Sequence, residues 1–439
     1  MIPALMLSMA LAAQTFEPPQ GSPLAAMKWL YETRDADALL REFKRSQAFA
    51  ASHPELFMET LEDIHGHNDR VDFRAFPKSS PLPLKDGMRL SIRIMARAIF
   101  RMRDIPGSCA KIEEMLALTR GLPQDWRVTD YFTREAYYAM AAACPAALLR
   151  GVKERKVERR ELALIALLRS GHPVSQELAV EVLKSSYFRE ALPILYYLDD
   201  PGFKGKYLDE QFETARKTDY YMRMWAARDL INAYASFPAG VRRLEELRDS
   251  GQVKGVRVAG IWFGTLGDSG LDPRELEAQT AALTLSAEYI NRANAAFGGK
   301  EPVLYVDFTP DVVDGHELNP VGWSGNALYS TIGELKRSSA REAAFTLAHE
   351  ACEQRFYKGR FSAAFGRTYW DAFDAGGRLL EVFRIGNRIG EKFEEYRGGH
   401  PWDSEREWLA EVASAALIGE PLPEEAAPAL EAVRKLFVK

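Results

Sequence analysis

Residues Thr346 to Glu353 read Thr346-Leu347-Ala348-His349-Glu350-Ala351-Cys352-Glu353. Side chains three and four positions apart lie on the same face of an α-helix. His349, Glu350 and Glu353 therefore share a face, where one imidazole and two carboxylates can point at a single bound ion or water molecule. These donors at this spacing predict a metal-dependent hydrolytic site.

The helix that carries these residues has a clear start and is apolar over most of its circumference. Ser339 and Glu342 have the spacing of a capping box, in which the N-cap residue and the third helical residue bond reciprocally. The polar residues share one arc of roughly 100°, and they are Thr346, His349, Glu350, Glu353 and Tyr357. A helix this apolar packs on most sides, so its polar stripe is confined to a cleft.

A second acidic stripe follows nearer the C terminus. Ser404 is the predicted start of a helix that ends at Gly419, and Glu407 and Glu411 lie one turn apart on it. If the two stripes face each other, repulsion at low dielectric raises the carboxyl pKa values or requires a cation between them. The alternatives are a capping box of Glu407 with Ser404, and an ordinary exposed helix face for Glu353 and Glu411.

These two helices together resemble the gluzincin branch of zinc metallopeptidases. In that family a His-Glu-x-x-His helix is followed by a second helix with a Glu-aromatic-x-Ala-Glu run, and the segment from Glu407 to Glu411 reads Glu-Trp-Leu-Ala-Glu. The resemblance implies that His349 and Glu407 are metal ligands and that Glu350 is the general base. It also implies that Glu411 braces His349 as an outer partner.

The resemblance extends upstream, so that it spans residues 326–417. The run Asn326, Ala327, Leu328 and Tyr329 resembles the family's Asn-Ala-aromatic edge strand, which holds peptide substrates by β-addition. These four residues are therefore the implied substrate-binding segment. Tyr357, on the ligand stripe, is a candidate donor to a developing oxyanion, and the alternative is that it packs at the edge of the cleft.

Glu353 stands where the family has its second histidine. A carboxylate oxygen binds zinc at about the same distance as an imidazole nitrogen, so His349, Glu353 and Glu407 are the implied ligand set. Two ionised ligands neutralise the ion, which weakens it as a Lewis acid and favours harder cations. The change predicts a slower Zn²⁺ site, a Mn²⁺ site, or no metal. His316 and His400 are the other imidazoles in this half that can supply nitrogen.

The hydrophobic pattern of the chain changes near residue 250. Over residues 23–250, leucine and alanine recur at three- and four-residue intervals, which predicts an α-helical domain with HEAT-like hairpins or an irregular helical domain. Beyond it, Val253–Trp262 and Pro302–Phe308 predict strands, Pro273–Phe297 predicts one helix, and Asn326–Ile332 predicts an edge strand before further helices.

The predicted fold is therefore α+β, with an N-terminal all-α, helical-repeat-like domain and a C-terminal metallopeptidase-like domain over residues 251–439. The length of 439 residues, with 47% hydrophobic and 27% charged residues, fits a globular chain of more than one domain. A net charge of -5 gives no basic surface for nucleic acid, and no apolar run reaches the roughly 20 residues of a membrane span. The expected partners are a peptide or protein substrate and a protein that binds the helical domain.

The first 22 residues have the composition of a leader. Ile2–Ala13 is almost wholly apolar and ends in small residues before a polar segment, which resembles a secretory signal peptide and predicts a secreted or periplasmic protein. No Lys or Arg precedes it, and the alternatives are a frayed hydrophobic N terminus or a misplaced start codon. In an oxidising compartment Cys109 and Cys144 can form one bridge and leave Cys352 unpaired; free buried thiols are the alternative.

Overall fold

The chain has a mostly helical N-terminal region followed by a mixed five-stranded sheet with helices, which confirms the predicted α+β class. The computed structural model describes residues 15–21, 23–66, 82–123, 125–269, 272–313, 316–318, 320–359, 405–420, 422, 427–435 and 437. Most of the predicted leader and His400 lie outside these residues. No helix among them combines the length and apolarity that crossing a bilayer requires. The described residues form two compact units, which divide between Pro173 and Val174.

The described residues of the first unit form helices and one short strand pair. Its α-helices are α1 Pro23–Glu32, α2 Ala36–Ala51, α3 Pro54–Gly66, α4 Leu84–Arg101, α5 Cys109–Thr119, α6 Trp126–Ala143, α7 Pro145–Lys153 and α8 Arg160–Arg169. Strand β1 (Thr15–Phe16) pairs antiparallel with β2 (Leu82–Pro83). Helix α4 packs against α2 and α6, and its fully buried apolar side chains place the core of this unit around it.

A disulfide joins two helix starts in this unit. Cys109 is the first residue of α5 and Cys144 is the N-cap of α7, and their Cα atoms are 6.0 Å apart. The bridge is the pairing that the sequence left open, and Cys352 is unpaired and buried.

The second unit contains the sheet. Its α-helices are α9 Gln176–Ser185, α10 Phe188–Ala191, α11 Pro201–Ala215, α12 Tyr220–Ala235, α13 Pro238–Asp249, α14 Pro273–Glu277, α15 Thr280–Phe297, α16 Ile332–Arg337, α17 Ala340–Gly359, α18 Glu405–Ile418 and α19 Ala427–Arg434. Its strands are β3 Val253–Val258, β4 Ile261–Leu266, β5 Tyr305–Thr309, β6 Val312–Val313, β7 His316–Glu317, β8 Val321–Ser324 and β9 Ala327–Thr331.

The sheet is mixed, with strand order β3-β4-β5-β9-β8. Strands β4, β5 and β9 run parallel, while β3 and β8 run antiparallel to their neighbours. Helix α15 lies between β4 and β5 in the chain and provides the crossover that a parallel pair needs. A separate two-stranded ladder joins β6 to β7.

Two sequence predictions in this region need correction. Val253–Trp262 is not one strand, because the chain reverses at Ala259 and Gly260, which have φ of 49° and 90°. Such a pair of positive φ values is what a tight hairpin requires, and alanine at the first position concealed it. Pro273–Phe297 is likewise two helices, α14 and α15, rather than one.

The boundary between the compact units differs from the predicted domain boundary at residue 250. Helix α12 packs against β4, β5, β8 and β9, so the last helices of the predicted helical domain share a core with the sheet. A switch from helical to strand periodicity marks a change of secondary structure, and it does not by itself mark the end of a core.

Helices α12 and α17 cover opposite faces of the sheet. Arg228 of α12 lies between the rings of Trp225 and Tyr329, 4.2 and 4.3 Å from their centroids, and its Nε donates to Asp307 at 2.6 Å. Asp307 and Tyr329 are paired in register and so point to this face. Trp323 pairs with Leu328, the residue before Tyr329. Because side chains alternate along a strand, Trp323 points to the other face, where α17 packs.

A two-residue turn of Gly325 and Asn326 joins β8 to β9 and is held from both faces. The backbone N–H of Asn326 donates to Asp229 of α12 at 3.3 Å. From α17, Gln354 Nε2 donates to the Gly325 carbonyl at 3.2 Å and Lys358 donates to the Asn326 side chain. Gly325 has φ of 51°, and the Asp229 carboxylate occupies the space that a Cβ would need. The position of the hairpin is therefore fixed relative to both helices.

Candidate functional site

Helix α17, which carries the His-Glu motif, starts as predicted. Ser339 N donates to Glu342 Oε2 at 2.6 Å, and Glu342 N donates to Ser339 Oγ at 3.2 Å, so both halves of the capping box form. Ala344, Ala348 and Cys352 are fully buried along the helix. The polar stripe is therefore embedded in a helix that is packed on its other sides.

Small side chains bring α17 close to α15 and α18. Ala344 and Ala348 pack with Tyr289 of α15, and Ile418 of α18 packs against this cluster. On α18 the alanines at 410 and 413 are fully buried. Small residues at a contact shorten the distance between helix axes. Side chains of α17 can therefore reach those of α18. Helix α18 ends at Gly419, as predicted, with φ of 78°.

The two acidic stripes meet at His349. Its Nδ1 lies 2.7 Å from Glu411 Oε2, and its Nε2 lies 2.9 Å from Glu407 Oε2. All three side chains are buried, with 7% or less of each residue exposed. Glu407 and Glu411 are one helical turn apart, and the imidazole ring lies between them. The juxtaposition of His349, Glu407 and Glu411 that the sequence predicts is therefore present.

This arrangement favours the charged imidazole. Burial by itself lowers the pKa of His349, but the hydrogen bonds to Glu407 and Glu411 and their negative charge outweigh burial and raise the pKa well above its ordinary value. Both ring nitrogens face carboxylate oxygens, and only the imidazolium form has a proton to donate from each. In the absence of a metal, a proton on Nε2 thus occupies the position between His349 and Glu407.

His349 and Glu407 bring together two of the donor atoms that a metal ion would need in place of that proton. Two ligands bound at the usual Zn–N and Zn–O distances in tetrahedral geometry lie about 3.3 Å from each other. His349 Nε2 and Glu407 Oε2 are 2.9 Å apart, so a small outward movement admits an ion between them. Nδ1 of the same ring remains bonded to Glu411, which is the outer-partner arrangement that fixes the tautomer of metal-binding histidines.

Glu353, the substituted ligand position, is bonded elsewhere. Its Oε2 accepts the indole N–H of Trp323 at 2.8 Å, and only 3% of the residue is exposed. It lies one turn beyond His349 on α17. Within the described part of the chain, no group of three or more His, Cys, Asp or Glu residues is arranged around a common centre that could hold a metal. The predicted set of His349, Glu353 and Glu407 is thus near one helix face without surrounding one point.

The other predicted catalytic residues are placed less completely. Glu350 is half-buried on α17, adjacent to His349. Tyr357 lies near the end of α17, but its side chain, like that of Trp408 on α18, is outside the described residues. His316 lies on β7 with its side chain also outside them.

The predicted edge strand is not at the edge. Residues Ala327 to Thr331 form β9, which pairs with β5 on one side and with β8 on the other. Both sides of its backbone are therefore occupied, and the predicted β-addition of a peptide to Asn326, Ala327, Leu328 and Tyr329 is wrong. Among the described strands, β8 occupies the edge next to α17.

Cys352, on the His-Glu helix, is a packing residue. Burial raises the pKa of its thiol to about 12, with the charge of Glu411 adding to the effect. A thiol with so high a pKa is poorly reactive and a poor metal ligand.

Two features of the site escaped the sequence analysis, namely the edge strand β8 and the contact of Trp323 with Glu353. The signal was present as the dipeptide Gly325-Asn326 between two short runs with apolar residues, which is typical of a two-residue hairpin. Recognising it would have placed one further strand, β8, before β9. The contact of Trp323 with Glu353 could not be predicted from local sequence, because the two residues are 30 positions apart in the chain.

A cavity of about 340 Å³ lies elsewhere in the second unit. It is formed by residues of α9, α10, α11 and α12, and its wall includes Tyr187 and Met222, which are 55% and 40% exposed. None of the predicted site residues lines it. The donors at His349, rather than the size of this cavity, identify the candidate chemical site.

Comparison with known proteins adds no relative. No protein-family model, no curated protein and no solved structure matches the chain.

Proposed function

We propose that this protein is a metal-dependent peptidase that hydrolyses peptide bonds with a metal-activated water and Glu350 as general base. The observation that carries the proposal is the buried contact of His349 with Glu407 at Nε2 and Glu411 at Nδ1, at 2.9 and 2.7 Å. One neighbour occupies the ligand position and the other holds the ring, which is the division of roles that a metal-binding histidine needs.

Each residue has a defined task in this proposal. His349 and Glu407, with Glu353 as third ligand, hold the cation, which when bound supplies positive charge to polarise a carbonyl and acidify a water molecule. Glu350, half-buried and next to the ligand, takes the proton from the attacking water and passes it to the leaving amine. Tyr357 remains the candidate donor to the oxyanion.

Strand β8 supports a revised mode of peptide binding. It occupies the edge of the sheet beside α17, and Trp323 on β8 contacts Glu353 on α17 at 2.8 Å. A peptide that pairs with β8 would extend the sheet next to the ligand helix. This proposal moves the substrate strand from Asn326–Tyr329 to Val321–Ser324.

Glu350→Gln tests the proposed reaction. The amide keeps the shape of the side chain but cannot accept a proton, so we expect hydrolysis of a denatured protein to fall by about 10²–10⁴-fold while bound Zn²⁺ is retained. Metal content is measured by elemental analysis before and after chelator treatment. Glu288→Gln on α15, an exposed position, is the control. If wild type and Glu350→Gln hydrolyse the substrate equally, or if neither hydrolyses it, the proposal that the protein is a peptidase is wrong.

A catalytically inactive peptidase fold that binds a protein partner is the second candidate. It is favoured by the same histidine, whose nitrogens are both satisfied by carboxylates without a metal. It is also favoured by the exposed Tyr187 and Met222 at the cavity of the second unit, since exposed large apolar side chains mark interaction surfaces. Wild-type protein that binds neither Zn²⁺ nor Mn²⁺ would support this candidate.

We further propose that the protein is exported to a secreted or periplasmic location. The disulfide between Cys109 and Cys144 supports this, because such bridges persist in oxidising compartments.

A further inference from the structure

The cavity of the second unit has a buried hydroxyl in its wall that lacks a hydrogen-bond partner. The cavity holds about 340 Å³ and is formed by residues of α9, α10, α11 and α12. Tyr207 of α11 lines it with only 5% of the residue exposed, and no group in the described chain bonds its hydroxyl. Because buried hydroxyls are normally hydrogen-bonded, the partner of Tyr207 must come from a molecule in the cavity, either water or a ligand.

The Tyr207 hydroxyl is available as a donor. Burial raises the pKa of this phenol, and the negative charge of Glu210 adds to the effect, so the proton is retained at neutral pH. Glu210 does not itself line the cavity, and its carboxylate lies 4.0 Å from the Lys206 ammonium. A ligand acceptor can therefore take a hydrogen bond from Tyr207.

Two further donors line the cavity near Tyr207. Gln211 follows one turn later on the same face of α11, and its amide makes no hydrogen bond within the described chain. From α9, the Lys184 ammonium lies 5.4 Å from the centroid of the Phe203 ring, which stacks on the Tyr207 ring at 6.0 Å. Lys184 forms no ion pair with any described residue, and the described lining includes no acid. The cavity therefore favours a negatively charged acceptor.

The rest of the wall is mostly apolar. The Thr214 and Thr218 hydroxyls each donate to a backbone carbonyl of their own segment at 2.8 Å, so they are already engaged. Tyr187 and Met222 are two of the three exposed large hydrophobic side chains in the described chain, and both line this cavity. Exposed apolar area gathered at one concave site is typical of a binding site. An apolar ligand body would cover it.

We propose that this cavity binds a small organic acid with one carboxylate and an apolar body. The carboxylate accepts from Tyr207 and pairs with Lys184, and the body packs against Tyr187 and Met222. The cavity volume lies at the lower end of the range of about 300–1,000 Å³ for ligand pockets, which suits a small molecule. This site goes beyond the proposed peptidase function and needs no metal.

Phenylbutyrate is the probe, and its binding to the full-length protein is measured by isothermal titration calorimetry. Phenylbutyramide has the same body without the charge, and butyrate has the same charge with little of the body. We expect phenylbutyrate to bind, and each of the other two to bind at least about tenfold more weakly, because one loses the charged hydrogen bonds and the other loses the apolar contact.

Tyr207→Phe removes the donor and keeps the ring. We expect its affinity for phenylbutyrate to fall by about 10–100-fold, as for a lost hydrogen bond to a charged group, with a smaller change for phenylbutyramide. Tyr289→Phe on α15 is the matched control, because Tyr289 is also mostly buried, its hydroxyl has no bond within the described chain, and it does not line the cavity. Thermal unfolding checks that both variants are folded.

Lys184→Gln tests the charge at an exposed position, so it does not depend on the folding of Tyr207→Phe. We expect the affinity for phenylbutyrate to fall by about 2–5-fold at low salt, and by less as salt is added. Lys217→Gln is the control, since it removes the same charge from an exposed residue that does not line the cavity. Equal effects of the two lysine variants would contradict a direct role for Lys184.

Each outcome decides the proposal. Binding of phenylbutyrate that is weakened in Tyr207→Phe and Lys184→Gln, and not in their controls, supports it. No binding to wild type at millimolar concentration, or equal binding of phenylbutyrate and its amide, would overturn it and leave water as the partner of Tyr207. Tighter binding of the peptide Gly-Gly-Phe would overturn the choice of a free acid and assign the cavity to a peptide C terminus. Metal content and hydrolysis are not read in this experiment, so its failure is distinct from failure of the proposed function.

Discussion

His349 determines the charge of the candidate site. Its pKa is raised well above the ordinary value by the hydrogen bonds and charge of Glu407 and Glu411, which favours the imidazolium form that donates to both acids. The same three residues thus satisfy one another without metal, and in the proposed function they would supply a ligand with its brace. Removing either acid would leave the imidazolium paired with the other carboxylate but would deprive one buried ring N–H of its acceptor, which costs about 1–3 kcal/mol.

Asp229 gives the fold a pH dependence that is separate from the candidate site at His349. Burial raises the pKa of this carboxyl from its ordinary 3.8 to about 6, although Arg189, the backbone N–H of Asn326, Lys358 and Arg228 all act to lower it. The folded state therefore favours the protonated acid. Ionising Asp229 therefore lowers the free energy of unfolding. This loss is absent below pH 3.8, grows as the pH rises, and is complete well above about 6.

Asp229→Asn should flatten this dependence. It keeps an oxygen that accepts the Asn326 N–H but cannot ionise, so we expect it to remove about 2 kcal/mol of the decline in unfolding free energy between pH 4 and 6.5. Urea unfolding at intervals across that range measures the effect. Asp249→Asn, at an exposed position on α13, is the control. The same slope in wild type and Asp229→Asn would contradict the raised pKa.

At the scale of elements, the site depends on three helices and one hairpin. Helices α15, α17 and α18 pack together through small residues, which brings His349 of α17 against α18. The β8–β9 hairpin is fixed to α17 by Gln354 and Lys358, and to α12 by Asp229. The hairpin turn is therefore the point where both faces of the sheet are connected.

Gly325→Ala should show how tightly that turn is held. A Cβ there must adopt positive φ and must displace the Asp229 carboxylate. Gly251→Ala separates the two effects, because Gly251 also has positive φ but has open space where a Cβ would lie. We expect Gly251→Ala to cost about 1–2 kcal/mol, and Gly325→Ala to cost about 1–3 kcal/mol more. Equal losses in urea unfolding would mean that the carboxylate moves away freely.

At the scale of the whole molecule, the disulfide and the candidate site belong to different compact units. The Cys109–Cys144 bridge lies before residue 173, and the His349 site lies after it. The bridge closes a loop over a sequence separation of 35 residues, which corresponds to about 3–4 kcal/mol of stabilisation in the chain-entropy account.

Reduction should therefore act on one unit. We expect Cys144→Ala, or wild type in reducing buffer, to speed hydrogen exchange in peptides from residues before 173, by an amount equivalent to about 3–4 kcal/mol. Peptides from α15 and α17 should exchange at unchanged rates. Cys352→Ala, which leaves the bridge intact, is the control. Equal acceleration in both units would show that they do not unfold separately.

Much of the candidate site was predictable, because its signals are local. Helix periodicity placed His349, Glu350 and Glu353 on one face, the Ser339–Glu342 capping box set the helix start, and a second helix ending at Gly419 carried the acidic pair. These patterns extend over one or two helical turns, and each of them formed. The metal, the activity and the relation to gluzincins remain predictions.

Strand order was not predictable in the same way. The segment Ala327–Thr331 was recognised as a strand, but whether a strand lies inside a sheet or at its edge depends on which other strands pair with it. The preceding strand Val321–Ser324 has only four residues and weak periodicity. Local propensity therefore left the sheet order undetermined.

The sequence by itself determined which donors the chain has, that they lie on two helices, and that these helices are mostly apolar. Only the tertiary structure decided that His349 meets Glu407 and Glu411 across 58 and 62 residues, and that Trp323 holds Glu353. Hydrogen bonds and burial within a helix follow from its own period, whereas contacts between distant segments depend on how all the elements pack together.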